Sequence, residues 1–129
     1  MNSILIIAHT PLASALRSAA LHVFPDAGAW IDAIDVLPIQ SMSDTLLAAN
    51  RTIAKQSKAG MLGTLVLSDV LGATPCNVAQ RLVDGSQVRC IAGASLPMLL
   101  RAITYAHGPL QAMAECALAG ASLGAVAVS

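Results

Sequence analysis

Two short, continuous apolar runs, each leading through polar residues to a Thr-Pro pair, constrain this chain more than any other feature. The first, Ser3-Ile4-Leu5-Ile6-Ile7-Ala8, ends at His9 and is followed by Thr10-Pro11; the second, Met61-Leu62-Gly63-Thr64-Leu65-Val66-Leu67, leads through Ser68-Asp69 to Thr74-Pro75. A strand without polar alternation is covered on both faces, which is the condition of a parallel sheet packed between helices. Threonine as a capping residue with proline at the first helical position then starts a helix directly beyond the strand. Leu12, Leu16, Ala19, Ala20 and Val23 supply its apolar stripe.

The same alternation runs to the end of the chain. A turn at 25–28 precedes a strand over 29–37, and Ser43-Asp44 caps a helix carrying Leu46, Leu47, Ala49, Ile53 and Ala54 that stops at Gly60. A helix over 75–83 stops at Asp84-Gly85, a fourth strand covers 87–92, and Gly93-Ala94-Ser95-Leu96-Pro97 opens a helix reaching about Tyr105. His107-Gly108-Pro109 breaks the chain before an Ala-rich helix over about 110–119 and a last short strand over 123–128. Strands alternating with helices through short connections predict an α/β fold with a doubly wound, mainly parallel central sheet and helices on both faces. Residues 1–129 form one domain, with no linker or repeat.

Composition narrows the function. Hydrophobic residues make up 56% and charged residues 11% of the chain, so it has the means to fold and too little charge for a disordered tail. Aromatic residues are 2%, namely Phe24, Trp30 and Tyr105, so the core is built from Ala, Leu, Ile, Val and Met. A formal net charge of +0 removes the basic footprint that a nucleic-acid partner requires. The longest uncharged apolar stretch, 116–128, is too short to span a bilayer, which takes roughly 20 residues. Met1-Asn2-Ser3-Ile4 lacks the basic start of an export signal, so it reads as the first strand and a cytoplasmic location is expected. Cys76, Cys90 and Cys116 form no CxxC and no metal-ligand spacing with histidine, so they are expected as reduced core thiols, with neither metal nor cofactor.

Ligands of open parallel sheets bind beyond the carboxyl ends of the strands, where the strand order reverses. That edge collects His9, Asp69 and Ser95, together with the first turns of the helices at Pro11, Pro75 and Pro97, whose free amides and positive dipole ends suit an anion. The loop Asp69-Val70-Leu71-Gly72-Ala73-Thr74 wraps its own amides round the same point, with Gly72 permitting close approach. A neutral imidazole is a good nucleophile toward phosphorus, and a carboxylate on one ring nitrogen fixes the tautomer and exposes the other. His9 with Asp69 fits that role, with Thr74 as a hydroxyl donor, while a structural histidine and a turn-capping aspartate stay open as the plainer reading. Thr10 and Thr74 are explained as N-caps, Ser95 as a turn or cap residue, Met98 and Met113 as core. His22 and His107 have no acidic partner in sequence, and Cys76 has no neighbouring base.

Three segments together resemble the signature segments of the mannose-type enzyme IIA domain of the bacterial phosphoenolpyruvate-dependent sugar phosphotransferase system. They are Ile6-Ile7-Ala8-His9-Thr10, Asp69-Val70-Leu71-Gly72-Ala73-Thr74-Pro75-Cys76-Asn77-Val78-Ala79 and Ala92-Gly93-Ala94-Ser95-Leu96-Pro97-Met98-Leu99-Leu100. The resemblance implies a phosphotransferase component: His9 accepts a phosphoryl group from the histidine-phosphorylated carrier HPr and passes it to a IIB component, with Asp69 bonded to the other ring nitrogen. It places Thr10, Leu71, Gly72, Ala73 and Thr74 around the phosphoryl group. For docking partner proteins, Leu71, Pro75, Ser95, Leu96 and Met98 are the expected rim. It also implies a homodimer that exchanges the C-terminal strand. This sequence departs from the family pattern at Thr10, Leu71, Ala73 and Ser95, where glycine, an aromatic, glycine and asparagine are usual, which points to altered partner recognition. Two further roles use the same His9: a regulatory module whose phosphorylation state is read by a target protein, and the phosphocarrier subunit serving dihydroxyacetone kinase.

Overall fold

The computed structural model describes all residues, Met1–Ser129. Four strands, β1 (Asn2–His9), β2 (Ile31–Val36), β3 (Gly63–Ser68) and β4 (Val88–Ile91), form one sheet in the order β2-β1-β3-β4, and every pairing is parallel. Five α-helices cover it: α1 (Leu12–Val23), α2 (Met42–Lys58), α3 (Thr74–Leu82), α4 (Leu96–Thr104) and α5 (Leu110–Gly124). Because the chain moves from β1 outward to β2 and then crosses to the other side for β3, the order reverses between β1 and β3. That crevice is where an open sheet exposes a binding site.

The apolar runs are buried as their composition requires. Ile4, Ile6 and Ala8 of β1 point to one face with Leu65 and Leu67 of β3, against Ala13 and Ala20 of α1, Leu99 of α4 and Met113 and Ala117 of α5. Leu5, Ile7 and Val66 point to the other, against Ala49 of α2 and Val78, Ala79 and Leu82 of α3. Alanine on the buried sides of the helices, in place of rings, lets their axes approach the sheet closely. The same economy joins α5 to α4: a Cβ on Gly120 would lie 2.7 Å from the Cβ of Arg101, and one on Gly124 would run into the ring of Pro97.

Several boundaries differ from the sequence expectation. β2 starts at Ile31 because Pro25–Ala29 form a 3-10 turn. The cap of α2 is Ser41, whose hydroxyl accepts the Asp44 N–H at 3.1 Å, rather than Ser43-Asp44. The largest difference is at the C-terminus. No strand forms over 123–128 in the single chain: α5 continues through Leu123 and Gly124, and Ala125–Ser129 leave it exposed without secondary structure. A strand needs a neighbour to pair with, and nothing in this chain lies beside the tail. No helix is long and apolar enough to cross a membrane.

Candidate functional site

Both strands flanking the reversal deliver a polar group to the crevice. β1 ends at His9, whose side chain is 54% exposed, and β3 hands over to Asp69, whose side chain is 7% exposed. One carboxylate oxygen of Asp69, Oδ2, accepts the backbone N–H of His9 at 3.0 Å and faces the ring Nδ1 at 2.6 Å; the other, Oδ1, accepts the Val70 N–H at 2.9 Å. Burial pushes the Asp69 carboxyl up, but the backbone and ring bonds from His9 and the Val70 N–H outweigh it and hold the group below its ordinary value. An ionised Asp69 accepts the hydrogen from Nδ1, so the lone pair of His9 sits on Nε2. That nitrogen has no partner within the protein.

Four helices, α1 to α4, begin at this edge, and their N-termini are not equivalent; α2 is closed by the Ser41 hydroxyl. α4 is capped from within: the Ser95 hydroxyl accepts the Met98 N–H at 3.3 Å and the Ser95 carbonyl accepts the Leu99 N–H at 3.0 Å. α1 starts at Leu12 behind Pro11, which makes no side-chain cap bond, so Thr10 is not the cap that the sequence suggested. Asp35, at the end of β2, does that work instead, accepting the Ser14 N–H at 3.0 Å and the Ser14 hydroxyl at 2.6 Å. Only α3 is left open. Its N-cap is Ala73, which has no side chain to close the turn, and Thr74 is the first helical residue rather than the cap. Gly72, at φ +88°, turns the loop into the helix, and the amides of Leu71, Gly72, Thr74 and Cys76 have no acceptor in the chain. Four free amides and an uncapped dipole end are the groups that can hold an anion.

A cavity of about 260 Å³ lies between these parts, lined by His9, Val36, Leu37, Pro38, Gln40 and Thr74. The connection from β2 to α2 was not foreseen as part of the site. Its signal was available: β2 is a parallel strand like the others, so the residues after it also reach the carboxyl edge. The docking rim requires the main correction. Met98 is 1% exposed within the core and Pro75 is buried, so neither forms a rim; Ser95 and Leu96 are half-buried, one spent on its cap and the other packed on the core. Apolar side chains that stand free at this edge are Leu37, Ile39, Val70 and Leu71, the third residue of the loop carrying Asp69. Thr10 is exposed beside His9, its N–H donated to the Val36 carbonyl at 3.1 Å.

Nothing else in the chain competes with this site. Two larger hollows, about 490 Å³ between α1, α4 and α5 and about 440 Å³ beside Phe24, Trp30, Asp26 and His107, hold no histidine bonded to a carboxylate. Burial, with Cys76 nearby, pushes the Cys90 thiol up to about 11, so it is no nucleophile at neutral pH. No group of histidine, cysteine and carboxylate side chains is arranged to hold a metal.

Comparison with known proteins identifies the family and the fold. The family model for EIIA-man, described as the PTS system fructose IIA component, matches residues 3–118. No curated protein matches the sequence. Among solved structures, the mannose/sorbose specific IIA subunit of the phosphotransferase system from Enterococcus faecalis superposes with a TM-score of 0.84 at 22% identity, over 99% of this chain and 95% of that one. Phosphotransferase system component EIIA from Streptococcus agalactiae gives 0.81 at 23%, over 98% and 97%. The PTS IIA protein associated with the fucose utilization operon from Streptococcus pneumoniae gives 0.80 at 19%, over 98% and 96%. These likenesses establish a shared fold.

The Asp69 geometry has a thermodynamic consequence. A carboxyl held below its ordinary value of 3.8 stabilises the native state above that pH, and the contribution is lost as pH falls through the lowered value. Asp69→Asn should therefore lower the urea midpoint at about pH 7, and the gap to the wild-type protein should narrow as the pH falls below 3.8. Urea titrations of both proteins across that range check this; a gap independent of pH would contradict it.

Proposed function

Because this chain belongs to the EIIA-man family of phosphotransferase-system IIA components, we propose that it carries a phosphoryl group on Nε2 of His9. The observation that carries the reading is the His9–Asp69 pair, with Nε2 free at the one uncapped helix N-terminus of the edge. The donor is phospho-HPr and the acceptor a IIB component. Nε2 attacks phosphorus; the P–N bond to the donor histidine breaks, and the donor imidazole leaves with the electron pair. The hydrogen on Nδ1 stays in its bond to Asp69, whose negative charge offsets the positive charge that the phosphorylated ring acquires. Phosphoryl oxygens take up the amides of Leu71, Gly72, Thr74 and Cys76 and the Thr74 hydroxyl. No lysine or arginine lines the cavity, so stabilisation of the transferred group rests on oriented backbone dipoles, which need no reorganisation during the reaction.

Transfer between two proteins needs a dry, close approach around the histidine. Leu37, Ile39, Val70 and Leu71, 49%, 94%, 56% and 73% exposed, offer an apolar surface of that kind on both sides of His9. With phosphoenolpyruvate, enzyme I and HPr, the wild-type protein should gain acid-labile phosphate and His9→Ala none. Asp69→Asn should slow the gain by about 10²-fold or more, and Ile39→Asp should raise the HPr concentration needed for half-maximal rate. Phosphate appearing equally on His9→Ala would refute the assignment.

The same reading makes the protein a homodimer. The outer edge of β4 is unpaired, and the apolar tail Ala125-Val126-Ala127-Val128 stands free at the end of α5, so the tail of one subunit can pair with the β4 edge of the other. Light scattering should give twice the chain mass of 13.1 kDa, and deletion of residues 125–129 should return it to the single-chain value. A monomer at micromolar concentration would contradict this.

A further inference from the structure

The capping of α1 by Asp35 assigns a role to a residue that the phosphoryl-transfer reading does not use. Helix α1 begins three residues beyond His9, so its positive end lies on the same edge of the sheet as the nucleophile. Left open, it would be a second anion site competing with α3. It is closed by a charge from another element. Asp35 lies on β2 opposite Ala8, one residue before the pairing of His9 with Val36. Its Oδ1 takes the Ser14 N–H at 3.0 Å and its Oδ2 the Ser14 hydroxyl at 2.6 Å, in a bidentate grip on the first turn. A fixed carboxylate in that position does what a bound phosphate would do: it satisfies a free amide and neutralises the dipole end. α3, by contrast, has neither a side-chain cap nor an acidic residue in its first turn.

We propose that Asp35 is a positioning residue that acts as a built-in anion at the N-terminus of α1, leaving the amides around α3 as the only open seat for the phosphoryl oxygens. The proposal rests on the phosphoryl-transfer reading of His9. Its chemistry explains an asymmetry that helix geometry alone does not produce: four N-termini, those of α1 to α4, face one edge, three are closed by side chains, and the open one adjoins the cavity that His9 lines. The Asp35 grip also braces the turn that carries the chain from His9 into α1, together with the bond from the Thr10 N–H to the Val36 carbonyl at 3.1 Å. Charge and bracing are separable, because asparagine retains an acceptor for the Ser14 N–H without the charge, and Ser14→Ala retains the charge without the hydroxyl.

Inorganic phosphate, titrated into the unphosphorylated protein and followed through backbone amide shifts, separates the two. In the wild-type protein the responding amides should be Leu71, Gly72, Thr74 and Cys76, with Leu12, Ala13 and Ser14 silent. Asp35→Asn should make Leu12, Ala13 and Ser14 respond as well, and phosphate should bind about two- to fivefold more tightly at that end, the range expected for one charge at a helix terminus. Ser14→Ala, which keeps the carboxylate, should leave Leu12 and Ala13 silent. If Asp35→Asn leaves α1 silent while the α3 amides respond, or if Ser14→Ala opens α1 as fully as Asp35→Asn, the proposal is wrong and the His9 reading stands. A wild-type protein whose α3 amides ignore phosphate would count against the His9 reading itself.

Discussion

The carboxylate of Asp69 is bonded at once to the backbone of His9 and to its ring, and the site depends on that double hold. A ring bond alone would orient an imidazole on a mobile stem. With the backbone N–H bonded to the same oxygen, the end of β1 is fixed relative to the end of β3, across the crevice where the strand order reverses. The apolar runs of β1 and β3 serve this arrangement. Ile4, Ile6 and Ile7 are fully buried, as are Leu65 and Val66, so the two strands are held rigidly by packing on both faces and their polar ends are left at the edge. A histidine that must meet phosphorus in line gains from being built on such elements rather than on a loop.

On the phosphoryl-transfer reading, the edge would hold an anion without arginine or lysine. Free amides and one uncapped helix end would replace them, and the two carboxylates nearest His9 in the sheet are committed, Asp69 to His9 and Val70 and Asp35 to Ser14. A formal charge of +0 across the chain is consistent with that economy. It leaves the surface near His9 apolar, which suits a carrier that must admit a donor and then an acceptor at one histidine.

Much of this was legible in the sequence because burial on both faces leaves so direct a mark. The strand-then-Thr-Pro pattern located β1, β3, α1 and α3 within a residue or two, and His9 and Asp69 followed from the carboxyl-edge rule. What could not be read depends on contacts between distant segments. Thr10 and Thr74 look like caps locally, yet α1 is capped by Asp35 from 21 residues away and α3 has no side-chain cap. Met98 sits in a segment that resembles a binding motif, but the helical stripe of Met98, Leu99, Ala102 and Ile103 turns it into the core. The β2–α2 connection carries no catalytic residue type, so its wall of Leu37, Pro38 and Gln40 appeared only once the strands were placed side by side. The tail over 125–129 has strand-like composition and no partner within one chain.

The central claim is that Asp69 holds Nδ1 and leaves Nε2 to the phosphoryl group. Nitrogen-15 spectra of the His9 imidazole, recorded before and after phosphorylation by phospho-HPr, test it most directly. Coupling to phosphorus should appear at Nε2, with the Nδ1 hydrogen retained throughout in its bond to Asp69. Phosphorus coupled to Nδ1, or a His9 ring unchanged in a phosphorylated protein, would contradict the account.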